Sequence, residues 1–399
     1  MKEDKYEFTR PRNALASGDY FAPELKKCGC FLFFLEAVLT KEEFMKEALK
    51  EALKGMGFVS PNPMVGAVIV KDGRIISRDY HHKCGELHAE RNAINNCKED
   101  MSGAEIYVTL EPCCHYGKTP PCTEAIIESG IKKVYIGSHD PNPLVAGKGA
   151  QILREHGIEV EEGILREECD RINDVFFHYI THDTPFVVMK YAMTADGKIA
   201  CYTGKSRWIT GESARENVQK SRLKYTGIMV GVGTVSADNP SLTCRLENGR
   251  NPVRIICDSL LRTPHDCEIV KTAKEVPTVI ACLEKAQNAE YFESMGVTIL
   301  RVPEKDGRID LRELMKMLYK MKIDSILLEG GSELNFSALK SGIVNKVQAY
   351  IAPKIFGGSE GFTPVGGPGV SVPADAFMLK NPKIENYDGD FMIEWEVAD

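Results

Sequence analysis

The chain has 399 residues, of which 43% are hydrophobic and 27% are charged, and its formal net charge is −7 at pH 7. This length exceeds what one hydrophobic core usually organises, so two domains are expected, and the apolar content excludes a disordered chain. The acidic balance and the lack of a long basic run in the sequence argue against a nucleic-acid partner. The 13 cysteines, scattered through an enzyme-sized chain, predict reduced thiols and a cytoplasmic location.

The first 40 residues differ from the rest of the chain. They show little periodicity, and their apolar segment over residues 30–39 contains Glu36 and is too short to span a bilayer. We therefore expect neither a transmembrane helix nor a signal peptide, and we treat residues 1–40 as an extension of unknown role. Either translation starts at Met45 or the extension is a lineage-specific appendage. Native protein that retains Met1 would exclude the first explanation.

From residue 41 onward the hydrophobic pattern predicts alternating helices and strands. Residues 43–54 place Phe44, Ala48 and Ala52 on one side at helical spacing and end at Gly55, which predicts an amphipathic helix. A turn over residues 71–74 joins two apolar runs in a predicted hairpin. The runs are residues 64–70 and 75–76, and the next elements expected are helices over 88–97, 122–129 and 149–156 and strands over 106–110 and 133–137.

A second series of strands follows residues 182–185, which we interpret as the domain boundary. The predicted strands cover residues 186–192, 227–232, 253–258, 278–282, 298–301 and 325–329. Strands that alternate with helices are typical of α/β domains with helices on the faces of a sheet. We therefore expect two α/β domains, over residues 41–183 and 184–399.

The strongest chemical signal lies in the first domain, where His88-Ala-Glu90 is followed by prolines that directly precede Cys113 and Cys122. Zinc prefers imidazole and thiolate ligands, and a catalytic site uses three protein ligands so that water takes the fourth position. Glu90 is close enough to pass a proton from that water to a leaving amine. This arrangement is the signature of nucleobase deaminases.

The same segment leaves alternatives open. Cys113 and Cys114 are adjacent and cannot easily bind one ion, so we assign Cys113 and Cys122, and the latter opens a predicted helix. A closed structural zinc site would need a fourth ligand, for which Cys84, Cys114 or His115 is available. Ammonia release that depends on the metal would separate the enzyme from this alternative. A nucleic-acid-editing deaminase is a further alternative, and the acidic charge argues against it.

Three segments resemble the deaminase half of the bifunctional riboflavin-biosynthesis deaminase/reductase family: Asn62-Pro-Met-Val-Gly66, His88-Ala-Glu90 and the insert His115-Tyr-Gly-Lys-Thr-Pro-Pro121. The resemblance implies a cytidine-deaminase-like α/β/α domain with bound zinc that deaminates a diaminopyrimidinone ribosyl phosphate. It also implies that Glu90 is the proton donor and that Asn62 and the insert position the substrate. His81 and His82 are further candidates for substrate contact, although a solvated loop explains them equally well.

Four segments of the second domain resemble the reductase half of the same family, and they occur in the family's order: residues 190–200, 206–210, 231–240 and 329–335. The pair Gly330-Gly331 between a strand and a helix suits phosphate binding by backbone N–H groups. The full Gly-x-Gly-x-x-Gly pattern is missing, so a standard Rossmann site is not expected. The resemblance implies a dihydrofolate-reductase-like α/β domain, NADPH as cofactor, and homo-oligomers that associate through this half.

The resemblance also implies roles for individual residues of the second domain. NADPH contacts are assigned to Ala192, Trp208, Thr234, Asp238, Gly331, Ser332, Glu333, Leu334, Asn335, Phe336 and Ser337. Substrate contacts are assigned to Ser206, Arg222, Leu242, Arg245 and Glu329. Arginine suits a phosphate because guanidinium binds it through two parallel hydrogen bonds. The implied reaction is hydride transfer to the ribosyl C1 of the deaminated pyrimidine, which gives 5-amino-6-(ribitylamino)uracil 5'-phosphate. The expected partner is a small phosphorylated pyrimidine substrate, and neither a nucleic acid nor a membrane is expected.

Overall fold

A computed structural model describes residues 39–142, 145–359 and 361–398. The predicted extension over residues 1–40 and its apolar segment lie outside the described residues, except for Leu39 and Thr40. Within these ranges no helix is both long and apolar enough to cross a membrane.

The first part of the described chain surrounds a five-stranded sheet. Its elements are α1 (Lys41–Leu53), β1 (Gly66–Lys71), β2 (Arg74–Tyr80), α2 (Ala89–Asn96), β3 (Glu105–Leu110), α3 (Cys122–Glu128), β4 (Lys133–Ser138), α4 (Lys148–Glu155), β5 (Glu159–Glu162), α5 (Arg166–Ile172) and α6 (Asp174–Thr181). The strand order is β2-β1-β3-β4-β5. β1 is antiparallel to β2 and β3, whereas β3, β4 and β5 are parallel.

The second part surrounds a nine-stranded sheet of order β10-β9-β8-β7-β13-β6-β14-β16-β15. The seven strands β10, β9, β8, β7, β13, β6 and β14 run parallel to one another. β16 runs antiparallel to β14, and β15 runs antiparallel to β16. The elements are β6 (Phe186–Thr194), α7 (Glu212–Lys224), β7 (Gly227–Gly231), α8 (Val232–Asp238), β8 (Val253–Cys257), α9 (Glu268–Lys271), β9 (Thr278–Leu283), α10 (Ala289–Ser294), β10 (Thr298–Val302), β11 (Glu304–Lys305), β12 (Arg308–Ile309), α11 (Leu311–Lys320), β13 (Ser325–Leu328), α12 (Ser332–Lys340), β14 (Lys346–Ala352), a 3-10 turn (Pro373–Asp375), β15 (Leu379–Tyr387) and β16 (Asp390–Val397).

Each helix and strand predicted from the hydrophobic pattern is confirmed, with small differences at the ends. The hairpin turn between β1 and β2 has positive φ angles at Asp72 (51°) and Gly73 (74°), as the tight turns of right-twisted hairpins require. The predicted domain boundary at residues 182–185 coincides with the connection between α6 and β6, which belong to the two different parts. The exact boundary stays a prediction.

The start of α1 shows how the first helix is fixed to the sheet. Thr40 and Glu43 form a capping box in which each side chain bonds the other residue's backbone N–H, an arrangement that satisfies donors at a helix start. α1 packs directly on β1, because a Cβ at Gly66 would lie only 2.0 Å from the carbonyl oxygen of Ala48. Met45 is fully buried in this contact, and a chain that began at Met45 would lack the capping box.

The parallel strands of each sheet determine at which edge of the sheet the functional residues are expected. In α/β sheets, ligands bind at the carboxyl ends of the strands. In the first sheet the segments after β3 and β4 begin at Glu111 and His139, and in the second sheet the segments after β7 and β13 begin at Val232 and Glu329. The residues predicted to carry chemistry are concentrated in these segments.

Candidate functional site

Three predicted metal ligands converge on one point in the first part of the chain. His88 precedes α2, Cys113 follows β3, and Cys122 is the first residue of α3. The Nδ1 atom of His88 lies 3.4 Å from the Sγ atom of each cysteine, and the three ligand atoms lie within 4.8 Å of one another. Among the described residues, no fourth side chain of histidine, cysteine, aspartate or glutamate belongs to this cluster.

The donor set and its spacing fit zinc. Tetrahedral zinc with bonds of about 2.0–2.3 Å to nitrogen and sulfur holds neighbouring ligand atoms about 3.6 Å apart, close to the separations from His88. A hydrogen bond from Cys122, together with the neighbouring His88, lowers the pKa of the Cys113 thiol to about 4, and thiolate is the form that binds metal. Three protein ligands are the number found in catalytic zinc sites.

Glu90 is the second residue of α2, two positions after His88, and is only 3% exposed. Burial, together with the neighbouring Cys113, raises the pKa of its carboxyl group to about 7. Its Oε2 atom has no hydrogen-bond partner in the described part of the chain. A bound dication would oppose this rise in pKa. An acidic side chain this close to the ligands can exchange protons with a group bound at the cluster.

The cluster opens into a cavity of about 280 Å³ whose wall includes Asn62, His81 and Glu90. The predicted insert contributes His115, Gly117, Lys118 and Thr119 to this wall. His81 is 2% exposed, and its Nε2 atom lies 3.2 Å from Asn62 Nδ2. His82 instead bonds the carboxylate of Asp79, at 2.6 Å. The structure thus brings His81, and not His82, to the cavity.

Two buried carboxyl groups of this region were not identified from the sequence. Glu111 accepts hydrogen bonds from the backbone N–H groups of Gly147 (2.9 Å) and Ala150 (3.2 Å) and so fixes the start of α4 beside the zinc-ligand segment. Asp140 lines the cavity, and burial raises the pKa of its carboxyl group to about 6. Both residues follow parallel strands, β3 and β4. Their position at the carboxyl edge is the signal that could have identified them.

Hydrogen bonds join the predicted reductase residues into groups along the carboxyl edge of the second sheet. Arg222 donates two hydrogen bonds to Glu329, at 2.7 and 2.8 Å, and one to the Thr243 carbonyl oxygen, at 3.0 Å. Thr243 directly follows the predicted substrate residue Leu242 and lies two residues before Arg245. The loop that contains Ser206 and Trp208 reaches α8 through a bond of 3.2 Å from Arg207 to the Asp238 carbonyl oxygen.

The starts of α8 and α12 lie next to each other. The N–H group of Gly231 donates to the carbonyl oxygen of Gly330 at 3.0 Å. The hydroxyl of Thr234 lies 3.5 Å from the point where a Cβ of Gly331 would stand, and Gly331 has a φ of 85°, a conformation that glycine adopts without strain. The backbone N–H groups that precede α12 are thereby available to an anionic group.

The other predicted cofactor residues differ in accessibility. Ala192 lies on β6, and Trp208 is 59% exposed, with the Arg215 guanidinium 4.6 Å from its ring. Within the range 331–337, Asn335 and Phe336 are buried. Asn335 donates to the Pro364 carbonyl oxygen at 2.8 Å. Contact of these two side chains with NADPH stays a prediction.

Two cationic side chains surround Glu329, whose own side chain is 10% exposed. Burial disfavours ionisation of Glu329, but Arg222 and Lys190 together hold the pKa of its carboxyl group below the ordinary value. Burial lowers the pKa of Lys190; the charge of Glu329 opposes this effect, and the charge of Arg222 adds to it. Lys190, which opens the first of the four reductase segments, was not assigned a role from the sequence. Its proximity to Glu329 becomes evident only when β6 and β13 are paired.

Comparisons with known proteins agree with this division. Residues 39–138 match the cytidine and deoxycytidylate deaminase zinc-binding region, and residues 185–393 match the RibD C-terminal domain. The riboflavin biosynthesis protein RibD of Actinobacillus pleuropneumoniae is 56% identical over 90% of this chain and 96% of its own length. The RibD protein of Aquifex aeolicus is 41% identical over 88% and 97%.

Two solved structures share the fold over nearly all of their length. The diaminohydroxyphosphoribosylaminopyrimidine deaminase/5-amino-6-(5-phosphoribosylamino)uracil reductase of Thermotoga maritima is 42% identical, with a TM-score of 0.78, over 90% of this chain and 98% of that one. RibD of Acinetobacter baumannii, form 1, is 34% identical with a TM-score of 0.79, over 90% and 99%. These matches confirm a cytidine-deaminase-like domain and a dihydrofolate-reductase-like domain, zinc and NADPH as cofactors, and the two activities expected from the sequence. The chain belongs to the RibD family of bifunctional deaminase/reductases of riboflavin biosynthesis.

Proposed function

We propose that deamination takes place in the 280 Å³ cavity, with His88, Cys113 and Cys122 as the zinc ligands and Glu90 as the proton carrier. One observation carries this proposal: three ligand atoms lie within 4.8 Å of one another beside the cavity that Glu90 also lines, and the Oε2 atom of Glu90 has no hydrogen-bond partner among the described residues. Helix packing alone gives no reason to bury a carboxyl group without a partner.

The roles in deamination follow from this arrangement. His88, Cys113 and Cys122 would hold zinc, which would supply an activated water for attack on the ring carbon that carries the amine. Glu90 accepts a proton from that water and delivers it to the leaving amine. Asn62 orients the pyrimidine, and Lys118 on the insert provides a cation for the substrate phosphate.

In the reductase half, the residues where α8 and α12 begin would hold NADPH, which would supply a hydride to the ribosyl C1 of the deaminated intermediate. The adjoining helix starts and the backbone N–H groups near Gly331 support this location for the anionic part of the cofactor. The Arg222 nitrogens are already engaged by Glu329 and the Thr243 carbonyl oxygen. Arg245, which is exposed, is therefore the arginine better placed to bind the substrate phosphate, and Arg222 acts through its pair with Glu329.

The test is a coupled assay on zinc-loaded protein with the diaminopyrimidinone ribosyl phosphate, in which ammonia release and NADPH oxidation are followed together. Glu90→Gln is expected to lower ammonia release by about 10²–10⁴-fold, because general acid–base catalysis contributes this much. Given the deaminated intermediate, the variant still oxidises NADPH. Glu155→Gln, a surface change on α4, is the control. Normal ammonia release by Glu90→Gln would contradict the proposed role.

Association into homo-oligomers is supported by the edge of the nine-stranded sheet. β15 is the edge strand and carries exposed Leu379 and Ile384, the latter 65% exposed, with Met378 beside them at 64%. Apolar side chains on an exposed edge strand favour contact with another chain. Ile384→Lys is expected to reduce the molar mass measured by light scattering, and an unchanged mass would place the contact elsewhere. The cytoplasmic location stays a prediction.

A further inference from the structure

The position of Asn62 in the deaminase cavity depends on two anchors. Its loop joins α1 to β1, and its Nδ2 atom lies 3.2 Å from His81 Nε2. The Nδ1 atom of His81 lies 3.0 Å from the Leu87 carbonyl oxygen, which can only accept a hydrogen bond. His81 therefore donates through Nδ1 and accepts from Asn62 through Nε2. This bond fixes the side chain of Asn62, and its backbone needs an anchor of its own.

That second anchor is Asn173, which lies 109 positions from Met64 along the chain. The Asn173 Oδ1 atom accepts from the Met64 backbone N–H group at 2.8 Å, and its Nδ2 atom donates to the Met64 carbonyl oxygen at 2.9 Å. Both residues are buried, Asn173 at 2% and Met64 at 8% exposure. The carboxamide thus pairs with the backbone of Met64 as a neighbouring strand would. Met64 is two residues from Asn62.

The local role expected of Asn173 is a different one. It stands immediately before α6, where asparagine commonly caps the helix with its side chain, but this helix start has no side-chain cap bond. Both polar ends of the carboxamide are instead used on the loop of Asn62. Removing them would leave a buried N–H group and a buried carbonyl oxygen without partners, which is costly.

The segment that carries Asn173 is itself tied to the reductase half. The carboxylate of the next residue, Asp174, lies 2.7 Å from Lys346 on β14 and 3.5 Å from Lys224 on α7. Phe176, one turn further into α6, lines the deaminase cavity. A small cavity of about 30 Å³ lies at this junction and is lined by Asn62, Asn173 and Lys224 among others. Asn173, which anchors the Asn62 loop, is thus held in place partly by contacts of the neighbouring Asp174 with the reductase half.

We infer that Asn173 is a positioning residue of the deaminase, which holds the backbone at Met64 so that the side chain of Asn62 meets the pyrimidine. The inference rests on the substrate-binding role proposed above for Asn62. Asn173 need not touch the substrate, and its effect on catalysis passes through Asn62. A residue that acts only through another contributes nothing further once that other residue is removed.

The test is a double-mutant cycle on the deaminase reaction with Asn62→Ala, Asn173→Ala and the double variant. Each single variant is expected to raise KM for the diaminopyrimidinone ribosyl phosphate about tenfold, with a smaller change in kcat, because substrate orientation is lost while the zinc ligands and Glu90 stay in place. In the Asn62→Ala background, Asn173→Ala is expected to change KM less than about twofold. Zinc content and NADPH oxidation with the deaminated intermediate stay at wild-type values.

Asn345→Ala is the matched control, because Asn345 also accepts a backbone hydrogen bond through its side chain, from Val187 at 2.8 Å, but in the reductase sheet. It is expected to leave the deaminase KM unchanged. If Asn173→Ala does not fold, Asn173→Asp replaces it: the carboxylate can still accept from Met64 N–H but cannot donate to the Met64 carbonyl oxygen. The same cycle then applies.

The outcomes separate the inference from the proposal beneath it. An unchanged KM in Asn62→Ala overturns the role of Asn62, and the inference with it. A raised KM in Asn62→Ala together with an unchanged KM in Asn173→Ala overturns the inference alone. The inference is also overturned if the two effects on KM multiply in the double variant, because Asn173 would then act independently of Asn62. Loss of zinc in Asn173→Ala overturns it as well, because Asn173 would then support the whole site.

Discussion

The two halves of the molecule treat their buried carboxyl groups in opposite ways. In the deaminase cavity, burial raises the pKa of Glu90 to about 7 and that of Asp140 to about 6. In the reductase half, Glu329 is buried as well, but Arg222 and Lys190 hold the pKa of its carboxyl group below the ordinary value. Among the side chains, the difference lies in the cations beside Glu329, since burial alone acts in the same direction on all three groups. A zinc ion bound at the cluster would lower the pKa of Glu90 as well.

This contrast matches the chemistry of each half. Hydrolytic deamination moves protons between water and an amine, so it needs a carboxyl group that both binds and releases a proton near neutral pH. Hydride transfer from NADPH places the reactive electrons on the cofactor, and the protein mainly orients the reactants. A Glu329 carboxylate that is held by Arg222 through two hydrogen bonds is a fixed element of this kind.

The largest expected effect comes from removing a ligand of the zinc cluster, because deamination should then be lost while reduction is retained. Cys122→Ala removes a thiolate from the three-ligand site, and we expect zinc content to fall and ammonia release to drop by more than about 10³-fold, since an activated water is the basis of the reaction. NADPH oxidation with the deaminated intermediate should stay near the wild-type rate. Metal analysis and the two assays on one preparation measure this.

Cys97→Ala is the control for this change, because Cys97 ends α2 outside the metal cluster. It should retain zinc and both activities. Loss of NADPH oxidation in Cys122→Ala would show that the two halves do not function independently, and it would contradict the separation between the sites.

The second-largest effect concerns the ion pair between Glu329 and Arg222 in the reductase half. Glu329→Gln leaves the buried Arg222 without its counter-charge and is expected to lower the free energy of unfolding by about 3 kcal/mol at pH 7, as for other broken buried ion pairs. A lowered pKa means that this contribution is present above pH 4–5 and is lost as pH falls through the folded pKa of Glu329. The chain's two tryptophans, Trp208 and Trp395, both lie in this half, so their fluorescence during urea unfolding measures the effect.

Glu304→Gln is the matched control, because Glu304 pairs with Lys285 at 2.6 Å while both side chains are exposed. Exposed pairs contribute at most about 1 kcal/mol. Equal shifts in the two variants would mean that the pair of Arg222 and Glu329 behaves as a surface pair, and the contrast with the deaminase cavity would then lose its basis.

The features that could be predicted are those that depend on residues close together in the sequence. The helix α1, the hairpin turn at Asp72 and Gly73, and the group His88, Glu90, Cys113 and Cys122 all follow from local spacing, and the structure places the three ligands together. β5, β14 and the antiparallel pair β15 and β16 were not predicted, although Asp388 and Gly389 between β15 and β16 form the same Asp-Gly turn signal as Asp72 and Gly73. Most helices of the second half were also not predicted.

Contacts between distant segments could not be predicted in the same way. Arg222 meets Glu329 across 107 positions and Asn173 meets Met64 across 109, so neither pairing is visible in a local pattern. Asp140 shows the limit most clearly. Its sequence context, with prolines on both sides of Asn142, is typical of a turn, and its burial in the cavity wall depends on how β4 packs beside β3.

The smallest expected effect concerns this residue, and it has the opposite sign to that of Glu329. A folded pKa of about 6 against an ordinary value of 3.8 means that the folded protein binds the Asp140 proton more tightly than the unfolded chain does. Above pH 6 the ionised carboxyl group therefore opposes folding by at most about 3 kcal/mol. Asp140→Asn is expected to stabilise the deaminase half at pH 8 and to lose this advantage as pH falls from 6 to 4.

Hydrogen exchange of the β4 backbone at pH 8 and pH 5, corrected for intrinsic exchange rates, measures the stability of this half directly. The variant should exchange more slowly than wild type at pH 8, with a smaller difference at pH 5. Asp100→Asn is the control of opposite sign: hydrogen bonds from the Ser102 backbone and from Lys71 lower the pKa of Asp100 to about 2, so its replacement should not slow exchange. Equal protection by Asp140→Asn at both pH values would show that packing, and not the buried charge, determines the effect.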